Sequence, residues 1–271
     1  MEFNGKEICM KQRIITAVCG VLLIVPIILY GRLPFTIVTY ILASVALFEL
    51  LRMNKAVQRH IITTISSYLF LWLYMFPVTK YSFLQLTFTK IQLISLFIVV
   101  LFVYIVLSKN NFTFREASFL LLATLFLATA FEHLMYTRHV GLAYFLFVLF
   151  NIWATDSGAY FIGRSLGKRK LWPEISPNKT VAGAVGGIVF ACIVGAIFYV
   201  TNTIHFTFVQ LIVLAIATSI IGQLGDLVAS AIKRTFQIKD FGKLFPGHGG
   251  VLDRLDSVLF TFLVLSIIVI F

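Results

Sequence analysis

KDFGKLFPGHGGVLDRLD, residues 239–256, joins two long apolar runs, about 208–229 and 257–271. Lys239, Asp240, Lys243, His248, Asp253, Arg254 and Asp256 crowd into it together with four glycines and a proline. The runs on either side are continuous rather than alternating, and are of the length that crosses a bilayer core of about 30 Å as helix. A transmembrane β-barrel would instead show alternating strands of about ten residues. Working outward, nine such runs are expected, at about 14–30, 33–51, 61–78, 91–107, 117–132, 142–162, 183–201, 208–229 and 257–271. The first follows Lys6, Lys11 and Arg13 but leads into YGRLPF without a small-residue cleavage site, so it reads as a retained helix. The expected fold class is all-α: a polytopic integral membrane protein of about nine transmembrane helices.

Composition agrees. The 271 residues are 60% hydrophobic and 12% charged, where globular domains carry about 25% charged residues. The mean hydropathy is +0.98. In a soluble chain a net charge of +11 would suggest nucleic acid. Here basic loops that orient the chain and face anionic lipid are the better account, and no nucleic-acid partner is expected. With the N-terminus placed in the cytoplasm, 18 of the 22 Lys and Arg residues fall in inside segments, and only Arg32, Lys80, Lys90 and Arg138 fall outside. Cys9, Cys19 and Cys192 lack metal-ligand spacing and read as small hydrophobes.

Polarity is uneven along the chain. Residues 1–140 read as lipid-embedded scaffold, with Glu49, Glu116, Glu132 and His133 expected at hydrated span ends. Residues 141–271 read as the catalytic region, because polar and glycine residues enter its helices: NIWATDSGAYFIGR, VAGAVGG and IIGQLGDLVASAIKR. The topology brings Asp156, Asp226, Asp253 and Asp256 to one membrane depth, at the cytoplasmic edge. Two readings stand side by side. The acids pair with Arg164, Lys233, Arg234 and Arg254, or they hold a divalent cation, which takes carboxylate and phosphate oxygens. Helical spacing puts Asp226, Ser230 and Lys233 or Arg234 on one face, Asp156, Tyr160 and Arg164 on another, and Asp253 with Asp256 on a third. PGHGG supplies backbone N–H groups just ahead of a helix N-terminus, an arrangement that favours anions, or it is a plain loop before a helix whose dipole Asp253 complements. In another basic loop, 164–180, SPNKT (176–180) offers Ser176 and Thr180 as hydroxyl donors and Lys179 as a point charge, or Ser176 is a local turn residue with Pro177 fixing the turn. His248 is favoured as a phosphate contact over a metal ligand, and Lys239 and Asp240 are either solvated loop charges or part of the site. The residues alone point to a cation-dependent site for a phosphate-rich substrate, built into the membrane.

The run SAIKRTFQIKDFGKLFPGHGGVLDRLD, residues 230–256, closely resembles the signature of the phosphatidate cytidylyltransferases, the CDP-diacylglycerol synthases. DSGAYFIGRSLGK (156–168) and SPNKT also resemble this family, so the specific likeness covers about 151–256. The resemblance implies the reaction of CTP with phosphatidic acid to give CDP-diacylglycerol and pyrophosphate. It implies Mg²⁺ and a second, monovalent cation such as K⁺, and a homodimer among the assemblies. By position it makes Asp226 and Asp253 metal ligands, with Asp256 next. Lys233, Arg234, His248 and Arg254 join Asp226 and Asp253 as catalytic candidates. Ser176, Lys179, Thr180, Ser230, Lys239, Asp240, Asp156 and Arg164 become substrate-binding candidates. One position departs from the pattern: where the family usually has K-T-x-E-G, this chain has Ala182, which implies lower activity than a glutamate there would give. The rivals are a membrane lipid kinase or transferase using another nucleoside triphosphate, a catalytically silent scaffold, and a transporter whose acids line an ion path. The expected location is a bacterial cytoplasmic membrane, with the site facing the cytoplasm.

Overall fold

A computed structural model describes residues 20, 22–54, 57–76, 89–245 and 249–268. Residues 22–30 form α1. The elements that follow are α2 (Arg32–Met53), a short 3-10 turn (Val57–Arg59), α3 (Ile61–Met75), α4 (Lys90–Leu107), α5 (Phe114–Val140) and α6 (Leu142–Leu166). A hairpin of β1 (Lys170–Trp172) and β2 (Ser176–Thr180) comes next, then α7 (Val181–Val200), α8 (Phe208–Thr235) and α9 (Leu252–Ile268). Each helix falls on one of the expected apolar runs. Six of them, α2 and α4 to α8, are individually long and apolar enough to span a bilayer; α3, at 15 residues, is shorter. His248 and the outer parts of the first and last expected runs lie outside the described residues.

A bilayer interior offers the backbone no water, so these runs satisfy their amides within helices. Three helix starts use the same local device. Thr89 with Gln92, Thr113 with Glu116, and Thr207 with Gln210 form capping boxes at α4, α5 and α8, each satisfying two otherwise orphaned groups. Large apolar side chains face outward, among them Val106 at 76%, Leu122 at 74% and Val200 at 81% exposed. Bare Leu and Val are the outer surface a lipid solvent calls for.

The bundle is tightest between α6 and α7, where small residues let backbones meet. A Cβ on Gly183 would lie 2.7 Å from the Ala159 carbonyl oxygen, and one on Gly187 2.9 Å from that of Thr155. Buried Thr155 donates to or accepts from Ser219 at 2.9 Å, tying α6 to α8, and Gln223 donates to the Ala184 carbonyl at 3.3 Å, tying α8 to α7. These contacts stack α6, α7 and α8 with their polar residues at one end. There α9 starts and the hairpin closes over.

Two sequence expectations change. The segment after α6, read as a loop, contains the hairpin, with Lys170 opposite Thr180 and Trp172 opposite Ser176. Glu49, expected at a hydrated span end, is only 3% exposed. Glu116, at the exposed start of α5, serves that helix's capping box, and Glu132 pairs with Lys90 at 2.8 Å.

Candidate active site

A cavity of about 860 Å³ opens at the end of the bundle where α9 begins. One face of α6 lines it with Asp156, Tyr160, Gly163 and Arg164, spaced by helical turns. The hairpin adds Lys170, Asn178, Lys179 and Thr180; α8 adds Gln223, Asp226 and Lys233. The loop and the first turns of α9 complete it with Asp240, Asp253, Arg254 and Asp256. Of the catalytic, substrate-binding and metal candidates named from the sequence, ten therefore share one cavity: Asp156, Arg164, Lys179, Thr180, Asp226, Lys233, Asp240, Asp253, Arg254 and Asp256. Ser176, Ser230, Arg234 and Lys239 are not among its lining residues. Arg234 instead donates from Nε to the Ile175 carbonyl at 3.4 Å, fastening the hairpin to α8.

Two ion pairs organise the charges. Lys179 Nζ sits 2.5 Å from Asp226 Oδ2 and also donates to the Gln223 carbonyl at 3.3 Å. Lys233 Nζ sits 3.1 Å from Asp253 Oδ1 and 5.0 Å from the centre of the Phe241 ring, close enough for cation–π attraction. Asp253 is the busiest acid. Its Oδ2 accepts from the backbone N–H groups of Phe241 at 2.8 Å and Gly250 at 2.9 Å, so it pulls both arms of the loop onto α9. Gly249 has φ of +86°, and a Cβ there would meet Asp253 Oδ2 at 2.8 Å; both facts require glycine. Thr180 accepts from Gly183 N–H at 3.1 Å and caps α7. Arg164 donates to the Tyr160 hydroxyl at 3.1 Å, one turn back on α6. Ala182, in the first turn of α7, does not line the cavity.

The residue that sequence reasoning missed is Glu49. It crosses from α2 to accept from the backbone N–H of Val251 through Oε1 and of Leu252 through Oε2, both at 2.9 Å. These are donors that the start of α9 would otherwise leave unpaired. Gly242 and Gly250 press so closely on this carboxyl that a Cβ on either would overlap it. The available signal was an acid inside an apolar run, and such an acid needs a named partner. Nothing local pointed to a partner some 200 positions away.

The carboxylates fit a hard cation. Among the described residues no three acids, histidines or cysteines converge into a closed metal cage. A divalent cation that keeps water and substrate phosphate oxygens takes only one or two carboxylates from the protein. Asp226 offers Oδ1, outside its ion pair, and Asp253 offers the lone pair of Oδ1 left after Lys233.

A helical membrane bundle with carboxylates and cations gathered around one cavity at its end has the form of an integral membrane enzyme that handles phosphates. Residues 11–271 match the model of the cytidylyltransferase family, and the chain belongs to that family. It is 45% identical over 255 residues to the phosphatidate cytidylyltransferase of Bacillus subtilis (strain 168), covering 93% of this chain and 94% of that protein. The phosphatidate cytidylyltransferases of Staphylococcus saprophyticus and Staphylococcus epidermidis are 41% and 42% identical, each match covering 96% of this chain and 99% of the relative.

Proposed function

We propose that this chain catalyses attack of a phosphatidic acid phosphate oxygen on the α-phosphorus of CTP, forming CDP-diacylglycerol. The new bond joins that oxygen to the α-phosphorus, the α–β bridging P–O bond breaks, and pyrophosphate leaves. One observation carries the reading: α6, the hairpin, α8 and the start of α9 bring the ten candidate residues named above to a single cavity in a chain of this family.

The nucleophile is already ionised near neutral pH, because a phosphate monoester loses its second proton near pH 6. A strong general base is therefore unnecessary. The problem is repulsion between two polyanions, and the side chains answer it. Lys179 and Lys233 are pinned by Asp226 and Asp253, and so present fixed positive charge to phosphate oxygens without reorganising. Arg164 and Arg254 line the same space from other sides and can grip phosphate oxygens with two donors each. Mg²⁺, held by Asp226 and Asp253 with Asp256 beside them, would supply the charge neutralisation that phosphoryl chemistry requires. Asp156 and Asp256 leave oxygen donors for a second, monovalent cation such as K⁺. The cavity faces the cytoplasm, where CTP is made, which the excess of Lys and Arg on that side supports. The partners are thus CTP, phosphatidic acid and the surrounding membrane lipids, in a homodimer by family likeness.

The test is CDP-diacylglycerol formation from labelled CTP and phosphatidic acid in detergent, with and without Mg²⁺, beside Asp226→Asn. Mg²⁺-dependent product that the variant fails to make is expected. Release of CDP with a newly phosphorylated lipid would identify a kinase, and well-folded protein that makes neither product would overturn the reading.

A further inference from the structure

Two apolar pockets adjoin the charged cavity, and each shares one ionisable side chain with it. The first, of about 350 Å³, lies between α1, α2, α5, α6 and α9 and shares Arg254. The second, of about 390 Å³, lies between α5, α8 and α9 and shares Asp256. Their walls are otherwise almost entirely hydrocarbon. In the first pocket Thr39 turns its hydroxyl back to the Phe35 carbonyl at 2.8 Å and so leaves its methyl to the pocket.

We infer that the pocket beneath Arg254 takes a fatty acyl chain of the lipid substrate, with Arg254 at its mouth holding the lipid phosphate; this rests on the phosphatidate reading above. Chemistry favours the first pocket. A phosphate entering with its chain there meets a direct side-chain donor, the Arg254 guanidinium, whereas the ionisable group at the second, Asp256, has only acceptor oxygens of its own. Shape agrees. The first pocket runs from Arg254 and Leu255 at the start of α9 down to Phe35 on α2 and Phe145 on α6. Between Phe145 and Trp153 it spans about 12 Å of α6 at the helical rise per residue. Its axis therefore follows the helices from the charged cavity into the apolar interior, as a chain hanging from a headgroup does. There is also a way in from the side. Trp153 lines the pocket and is 54% exposed on the outer surface of the bundle, so a lipid can enter laterally from the bilayer.

Matched substitutions test the choice. Val38 lines the first pocket and Val228 the second. Val38→Trp should raise the KM for dioleoyl phosphatidate about tenfold, since displacing roughly two methylenes from apolar burial has that effect. The KM for dibutyryl phosphatidate and for CTP should stay unchanged, and Val228→Trp should alter none of the three. The inference is overturned if Val228→Trp selectively weakens the long-chain substrate, or if long and short chains respond alike to Val38→Trp. Wild-type protein inactive on every phosphatidate would sink the substrate reading itself, a distinct result. A second measurement needs no variant: phosphatidate with a diazirine on its acyl chain should label residues 35–42 and 145–149 of the wild type. Excess dioleoyl phosphatidate should abolish that label. Labelling that resists competition would mark a resident bilayer lipid, and labelling confined to the α5–α8 pocket would mark the wrong site; either refutes the inference.

Discussion

Glu49→Ala removes the acceptor for two buried N–H groups, those of Val251 and Leu252. An unsatisfied buried donor costs about 1–3 kcal/mol, so two cost about 3 kcal/mol at the lower half of that range. The loss falls on the joint between the 239–250 loop and α9, the same joint that Asp253 closes from the other side. It should therefore show as local opening. At about 1.4 kcal/mol per decade, hydrogen-exchange protection of amides in 249–256 should drop roughly a hundredfold. Glu49→Gln keeps one carbonyl oxygen in place of two carboxylate oxygens, so it should forfeit about half the energy and roughly tenfold in protection. Exchange mass spectrometry on detergent-solubilised protein reads both, with peptides from α4 as an internal reference. Turnover should follow the order wild type, Gln, Ala. Unchanged protection of 249–256 in the alanine variant would refute the reasoning, as would a glutamine variant no better than alanine.

Substitutions at four further positions probe other joints. Lys179→Gln removes a cation from the cavity and the partner of Asp226; a hydrogen bond to a charged group contributes about 1.5–3 kcal/mol, so kcat/KM for CTP should fall roughly 10–100-fold in steady-state assays. Thr180→Val removes the cap on α7 and should cost about 1 kcal/mol of stability, visible as a lower Tm that Thr180→Ser restores. Gly183→Ala should be the more damaging neighbour, at about 1–3 kcal/mol by overpacking, because its Cβ would strike the Ala159 carbonyl. Ala182→Glu, one position earlier and outside the cavity, should instead raise Tm through the helix dipole by about 0.3–1 kcal/mol and leave the Mg²⁺ dependence of turnover unchanged.

Hydrophobic length made the helices legible, since an apolar run that must bury its own amides has few alternatives. Much of the cavity was legible for a similar reason. Asp156, Asp226, Asp253 and Asp256 could share a depth only if their helices started and ended together, and helical spacing then turned each toward its neighbours. The hairpin was not legible, because Ser176 and Pro177 read as a turn while strands this short carry no periodicity. Ser176 and Ser230 match the motif, yet a motif match does not say which side of a strand or helix faces the cavity. Glu49 was invisible for a deeper reason. Its partners are backbone amides, which carry no residue identity, and nothing local to α2 marks them.

The two hydrogen bonds from Glu49 span 202 and 203 positions of chain, and this fixes an order of events during biosynthesis. Ribosomes extend chains at about 5–20 residues per second. Glu49 thus waits about 10–40 s in the nascent protein before the amides that satisfy it have been made. Throughout that interval an acid near the end of α2 is an unmatched polar group at the membrane. The arrival of α9 removes that liability in the same moment that it delivers Asp253, Arg254 and Asp256 to the cavity. Quality control that recognises unpaired polar groups in the bilayer would therefore single out chains that have not yet acquired a site.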